Sequence, residues 1–150
     1  MQVKDILRLK SARAAGGEKA ASVPPESTIL EAAKILGTRR IGLLVVIGKT
    51  PPFDGVLSER DVVKALSFYG EQALSMKVGQ VMTKVVRACA PTDHSHDVMA
   101  AMTSGGFRHM PVVDGGVLMG VISSTDILRY LSEKASPIDQ AMLWAKIAWA

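Results

Sequence analysis

The chain has 150 residues, 48% of them apolar and 21% charged, with a net charge of +4 and a pI of 9.4. That length fits one domain or two small halves sharing a core. No apolar run approaches the roughly 18 residues of a membrane span, and with Lys and Arg scattered among acids and only 5% aromatics, neither a nucleic-acid groove nor a stacking platform for single strands is expected.

In chain order, the N-terminus MQVKDILRLKSAR has no signal-peptide apolar region, and being basic and faintly amphipathic it leaves a targeting role open beside a structural one. A small and charged stretch, SARAAGGEKAAS, leads to a short strand before Pro25. ESTILEAAKIL follows with helical spacing, placing Leu30, Ala33 and Leu36 on one face. IGLLVVIG reads as a buried strand. A loop with Pro51 and Pro52 leads to a second strand, DGVLS, and SERD opens a helix whose apolar positions are Val62, Val63 and Leu66. The same order then returns. TKVVRACA reads as a strand before Pro91, and TDHSHDVMAAM as a helix with Val98, Met99 and Met102 together. MPVVD and VLMGVIS form a hairpin around the Asp114–Gly116 turn, and SSTD opens a helix with Ile127, Leu128 and Leu131.

Pro25 aligns with Pro91, Val45-Val46 with Val112-Val113, and Gly55 with Gly120, so the chain is an internal duplication. The expected fold is α/β of the α+β kind: two tandem β-α-β-β-α repeats, neither able to bury both faces of its small sheet alone, packed with pseudo-two-fold symmetry. The expected division is 1–69 for the first repeat with its N-terminal segment, 70–134 for the second, and 135–150 for a helical tail. In the tail Ser136 suits a cap, Pro137 the first helical position and Asp139 the third. Trp144 and Trp149 fall in this tail and need a surface to cover, either on the same module or at a homodimer interface, which is the favoured expectation.

The element written twice is Ser-x-x-Asp: Ser58 with Asp61, Ser123 with Asp126. One reading is a capping box, with the serine capping the helix and the aspartate returning a hydrogen bond. The other is a ligand grip. Helix N-termini at one end of a sheet attract anions, and a carboxylate beside them suits ribose hydroxyls. Arg60 in the first helical turn sits badly with the helix dipole unless an anion joins it.

These residues carry a resemblance. VMTKVVRACAPTD, FRHMPVVD and GVISSTDIL, with IGLLVV and GVLSERDVV in the first copy, are similar to the signature segments of CBS (cystathionine β-synthase) domains. The likeness runs from about residue 2 to 132, and the chain resembles small stand-alone bacterial CBS-pair proteins in which two repeats form a Bateman module. The resemblance implies an adenosine-type ligand in clefts between the repeats. It implies that Asp61 and Asp126 bind ribose, and that Ser58, Arg60, Ser123 and Thr125 face phosphates. Gly42-Leu43 and Met110-Pro111 would flank adenine, Lys19-Ala20 and the run 83–86 (Thr83, Val85, Val86 among them) would form the other wall, and Arg108 and His109 would add charge. AMP comes first among the ligands, with ADP, ATP, NAD(H) and S-adenosylmethionine left open. The two sites should differ, because the segments before them differ and Arg60 corresponds to Thr125.

The leading expectation is therefore a non-enzymatic nucleotide sensor without a catalytic cofactor, a homodimer acting on an unknown protein in the cytoplasm, where the single Cys89 fits a reducing compartment. No membrane or nucleic-acid partner is expected. The alternatives are a structural dimer or adaptor, or a nucleotide hydrolase. The last lacks a Walker loop and any activated nucleophile. His94 and His96 fall short of a metal ligand set.

Overall fold

A computed structural model describes residues 1–13, 19–134, 136–138, 141 and 145. The elements run α1 (Val3–Arg13), β1 (Ser22–Val23), α2 (Ile29–Arg39), β2 (Leu43–Val46), β3 (Gly55–Ser58), α3 (Glu59–Tyr69), a 3-10 turn (Gly70–Ser75), α4 (Val78–Val81), α5 (Ser95–Gly105), β4 (His109–Asp114), β5 (Val117–Ser123) and α6 (Ser124–Lys134). The tail positions Trp144 and Trp149, and the third helical position Asp139, lie outside the described residues.

The first sheet has the order β1-β2-β3, with β1 parallel and β3 antiparallel to β2. The second is the β4-β5 hairpin, closed by the two-residue turn Gly115-Gly116. Both turn glycines have positive φ, 55° and 79°, as a type I′ turn requires. Opposite the Val112–Val113 step the register shifts, and Met119 is the extra residue.

Each sheet faces its own core. Leu44, Val46, Leu57, Val62, Ala32 and Leu36 pack in the first. Their counterparts Met110, Val112, Ile122, Ile127, Val98 and Met102 pack in the second. Val46, not Val45, is thus the counterpart of Val112. The sequence alignment slips by one residue there, which in a strand means the opposite face. The helical faces also need correction. On α2 the fully buried residues are Ile29, Ala32 and Leu36, while Leu30 is 40% exposed. Thr28 caps the helix and sets Ile29 as its first residue, which turns Leu30 outward. On α3 only Val62 and Ala65 are buried, and Val63 and Leu66 are exposed.

The lead-in segments cross between the halves. Thr83 exchanges both backbone bonds with Val56 of the first sheet, at 2.9 and 3.0 Å. Only Cys89 reaches the second sheet, bonding Pro111 and Val113 at 3.0 and 2.8 Å. TKVVRACA is therefore not the single strand its β-branched residues suggest, because its two ends serve different sheets. The helices before these segments are exchanged too. Val3 and Lys4 of α1 donate to Asp93 and Pro91, and Ser95 donates to Met1; Val78 and Gly79 of α4 donate to Ser27 and Pro25, and Ile29 donates to Met76. The two sets match bond for bond. Hence Val3 and Ile6 sit in the second core and Val78 in the first.

This exchange predicts that Ile6→Ala, at the N-terminus, destabilises the fold by about 2–5 kcal/mol in urea unfolding. Leu30→Ala, on the outer face of α2, should shift it by no more than about 0.5 kcal/mol.

Candidate functional site

Both Ser-x-x-Asp elements form reciprocal capping boxes. Ser58 N–H donates to Asp61 Oδ2 at 2.9 Å, and Asp61 N–H to Ser58 Oγ at 3.1 Å. In the second repeat the same pair, Ser123 and Asp126, measures 2.9 and 3.0 Å. The cap does not consume the carboxylate. It orients it, and each aspartate also lines a cavity.

The Asp61 cavity, about 210 Å³, is bounded by Leu43, Ser58, Thr83, Val85, Val86, His109 and Pro111 among the sequence-predicted residues, with Val56, Arg87 and Phe107 beside them. Thr83 Oγ1 donates to the Asp61 carboxylate, 3.2 Å from both oxygens. The Asp126 cavity is larger, about 520 Å³, within the roughly 300–1,000 Å³ range of small-molecule sites. It brings together Lys19, Ala20, Gly42, Leu43, His109, Ser123, Thr125 and Asp126. Arg60 and Arg108 border the clefts that adjoin the two, and Arg60 donates to the Gly106 carbonyl at 2.9 Å. Met110 is the exception. It is 2% exposed in the second core, because its place in β4 turns its side chain away from the clefts.

Leu43 and His109 each open the middle strand of a repeat, and both line both cavities. They form a common wall on the pseudo-two-fold axis. His109 presses on Gly42, where an added Cβ would lie 2.7 Å from His109 Cε1.

Sequence reasoning missed several cavity residues. Lys10, Arg39, Arg40 and Arg129 line the Asp126 cavity. Lys10 Nζ lies 2.8 Å from Asp126 Oδ2 and 2.8 Å from the Val121 carbonyl. Arg40 ends α2 in the left-handed conformation, φ 52°, where its counterpart at the end of α5 is Gly106, φ 68°. A positive φ outside glycine is strained, and here it holds a guanidinium at the cavity. Arg129 follows Asp126 by one helical turn, the one signal in the sequence that could have found it.

Burial pushes the Asp126 carboxyl up, but the Lys10 ammonium and the Ser123 bonds outweigh it and hold the group below the ordinary carboxylate range. Burial pushes the His109 imidazole down, followed by Lys10 and Arg108, with Asp126 and Glu59 opposing. The Cys89 thiol is pushed up to about 12, chiefly by burial, so it packs rather than reacts. Among the described residues no group of three or more His, Cys, Asp or Glu is placed to hold a metal, and no helix is long and apolar enough to cross a membrane.

Because the folded His109 binds its proton less tightly than the unfolded chain, its contribution to stability is present above pH 6.5 and is lost as pH falls through the lower folded value. His109→Gln should therefore flatten the pH dependence of the unfolding free energy between about pH 7 and 5, measured by urea titration at several pH values.

The CBS domain family model matches residues 17–68 and 78–133. The CBS-domain protein ATU1752 of Agrobacterium tumefaciens is 36% identical, with a TM-score of 0.78 over 87% of this chain and 98% of that one. PAE2072 of Pyrobaculum aerophilum, solved with AMP, is 26% identical, with a TM-score of 0.70 over 89% and 99%. The CBS domain pair of MJ0100, solved with 5′-methylthioadenosine and S-adenosyl-L-methionine, is also 26% identical, with a TM-score of 0.70 over 89% and 98%. The chain spans 65% and 63% of the lengths of two curated relatives that it matches. With two matched copies folded around a pair of related cavities, the chain belongs to the CBS domain family, as a tandem pair of such domains.

Proposed function

We propose that this chain is a non-enzymatic regulatory module that binds an adenine nucleotide in the Asp126 cavity and transmits occupancy to a separate protein. The observation that carries this reading is the cavity itself: it is large enough for a nucleotide, one carboxylate is held by its cap at the rim, and Lys10, Lys19, Arg40 and Arg129 stand around it. Asp126 would take the ribose hydroxyls, with Ser123 and Thr125 at the start of α6 toward the phosphate. The Asp61 cavity is smaller and more apolar, with Arg87 its one lining cation among the described residues, and is the weaker of the two. AMP is the first candidate, followed by ADP, ATP and NAD(H). The AMP bound by PAE2072 supports this order. The S-adenosyl-L-methionine bound by the MJ0100 pair fits this cavity less well, since its sulfonium would enter a positive field.

Exposed apolar residues along α3 support self-association as part of the same reading. Val63, Leu66, Phe68 and Tyr69 are exposed there, Phe68 at 78%. Exposed apolar side chains of that kind suit a second copy of the chain. Phe68→Glu should shift the mass measured by sedimentation equilibrium from dimer to monomer. A wild-type chain that sediments as a monomer refutes the homodimer.

Thermal unfolding of nucleotide-stripped protein tests the binding. At about a hundredfold excess over its dissociation constant a ligand adds about 2.7 kcal/mol, so AMP should raise the midpoint clearly and GMP should not. Asp126→Ala lowers the starting midpoint by removing a cap, worth about 1 kcal/mol, so the readout is the ligand-induced rise, which this variant should lose. No response to any adenosine ligand sinks the reading, and turnover of bound nucleotide sinks its non-enzymatic part.

A further inference from the structure

Asp61 and Asp126 are equivalent in the duplication, but the partner that holds each one differs. Asp61 accepts from a neutral hydroxyl, Thr83 Oγ1, at 3.2 Å. Asp126 accepts from a cation, Lys10 Nζ, at 2.8 Å, and the same ammonium donates to the Val121 carbonyl at 2.8 Å. Lys10 arrives on α1, which the fold brings over from the N-terminus. Its helix is fixed by Val3 and Ile6 in the second core and by the Arg13–Glu133 ion pair, so the ammonium is delivered to the cavity by a built element. The Asp126 side chain is 15% exposed and that of Lys10 44%.

If ribose is gripped at Asp126, as the proposed function holds and on which this inference rests, a diol that engages both carboxylate oxygens finds Oδ1 open and competes with Lys10 for Oδ2. The outcome of that competition depends on the rest of the ligand. A phosphorylated ligand brings an anion into a cavity that also holds Lys19, Arg40 and Arg129, and the displaced ammonium exchanges one anion for another. An unphosphorylated nucleoside brings nothing to replace the carboxylate, and Lys10 is left in a positive surrounding with its best partner taken. The strained backbone of Arg40 points the same way: the first repeat keeps an arginine there, aimed at the cavity of Asp126, where the second repeat has Gly106.

We propose that Lys10 is the specificity-determining residue of the Asp126 cavity, selecting phosphorylated over unphosphorylated adenosine ligands by occupying the ribose-binding carboxylate until a phosphate replaces it.

The test is calorimetric binding of AMP and of adenosine to the full chain and to Lys10→Gln, Lys10→Arg and Arg8→Gln. Lys10→Gln should tighten adenosine by roughly three- to tenfold, the range set by a half-exposed ion pair with one added hydrogen bond, and should weaken AMP. The AMP-to-adenosine preference should thus fall by about tenfold or more. Lys10→Arg should keep most of the preference. Arg8→Gln removes the same charge from an exposed position of the same helix, so it measures the loss due to net charge alone. If wild type binds AMP and the preference in Lys10→Gln matches that in Arg8→Gln, the role of Lys10 is refuted while the nucleotide reading stands. If neither wild type nor Lys10→Gln binds AMP or adenosine, the nucleotide reading fails and this inference with it.

Discussion

Everything in this molecule depends on an exchange of backbone hydrogen bonds between the two repeats. A two- or three-stranded sheet with one helix layer is too small to stand alone, and here neither repeat completes itself. The first sheet takes its last backbone pairs from Thr83, and the cap over the second core comes from α1. Buried backbone groups must be paired, so the halves cannot separate without stranding the groups that Thr83, Val3 and Val78 satisfy. The clefts between the repeats are a consequence of this exchange. Each crossing segment, residues 19–23 or 83–89, runs over the ends of the strands and walls a cavity on its way.

The capping boxes show why a structural and a functional reading of one motif need not compete. A carboxylate has two oxygens and about four acceptor sites. The cap uses Asp126 Oδ2, as does Lys10; among the described residues no bond falls on Oδ1. The backbone bond from Ser123 fixes the side chain in one orientation at the cavity rim, so a ligand that uses it finds it already ordered. The entropy of holding it there belongs to the fold rather than to binding.

How much of this was legible depends on which interactions are local. Both capping boxes, the Gly115-Gly116 turn and the alternation of core residues are set within a few positions, and the sequence displays them. The family could be read from the order of these pieces occurring twice. The exposure of Leu30 was not legible, because one residue of uncertainty in a helix start rotates the whole face. The splitting of TKVVRACA was hidden for another reason: nothing in a β-branched run says that its two ends pair with different sheets. Lys10 was the furthest from view. Its partner Asp126 is far along the chain, and only the exchanged packing of α1 brings the two within 2.8 Å. The burial of the Met110 side chain was not legible either, because a motif fixes a position in a strand without saying which face that position presents.

The two repeats differ least in their cores and most around their cavities. Leu44 and Met110, Val46 and Val112, Leu57 and Ile122 remain apolar partners in the same places, as close packing demands of residues that each touch many neighbours. Around the cavities the equivalent positions hold different chemistry: Arg40 against Gly106, Arg60 against Thr125, Leu43 against His109. A duplicated fold can tolerate this because a rim residue costs little stability when changed, whereas a core residue costs several kcal/mol. Yet the cavities have not become independent, since Leu43 and His109 stand between them and belong to both. An anion settling on the Asp126 side meets the same imidazole that a ligand on the Asp61 side must pack against. Divergence at the rim with a shared wall at the axis therefore leaves two unlike cavities that the duplication keeps in contact through Leu43 and His109.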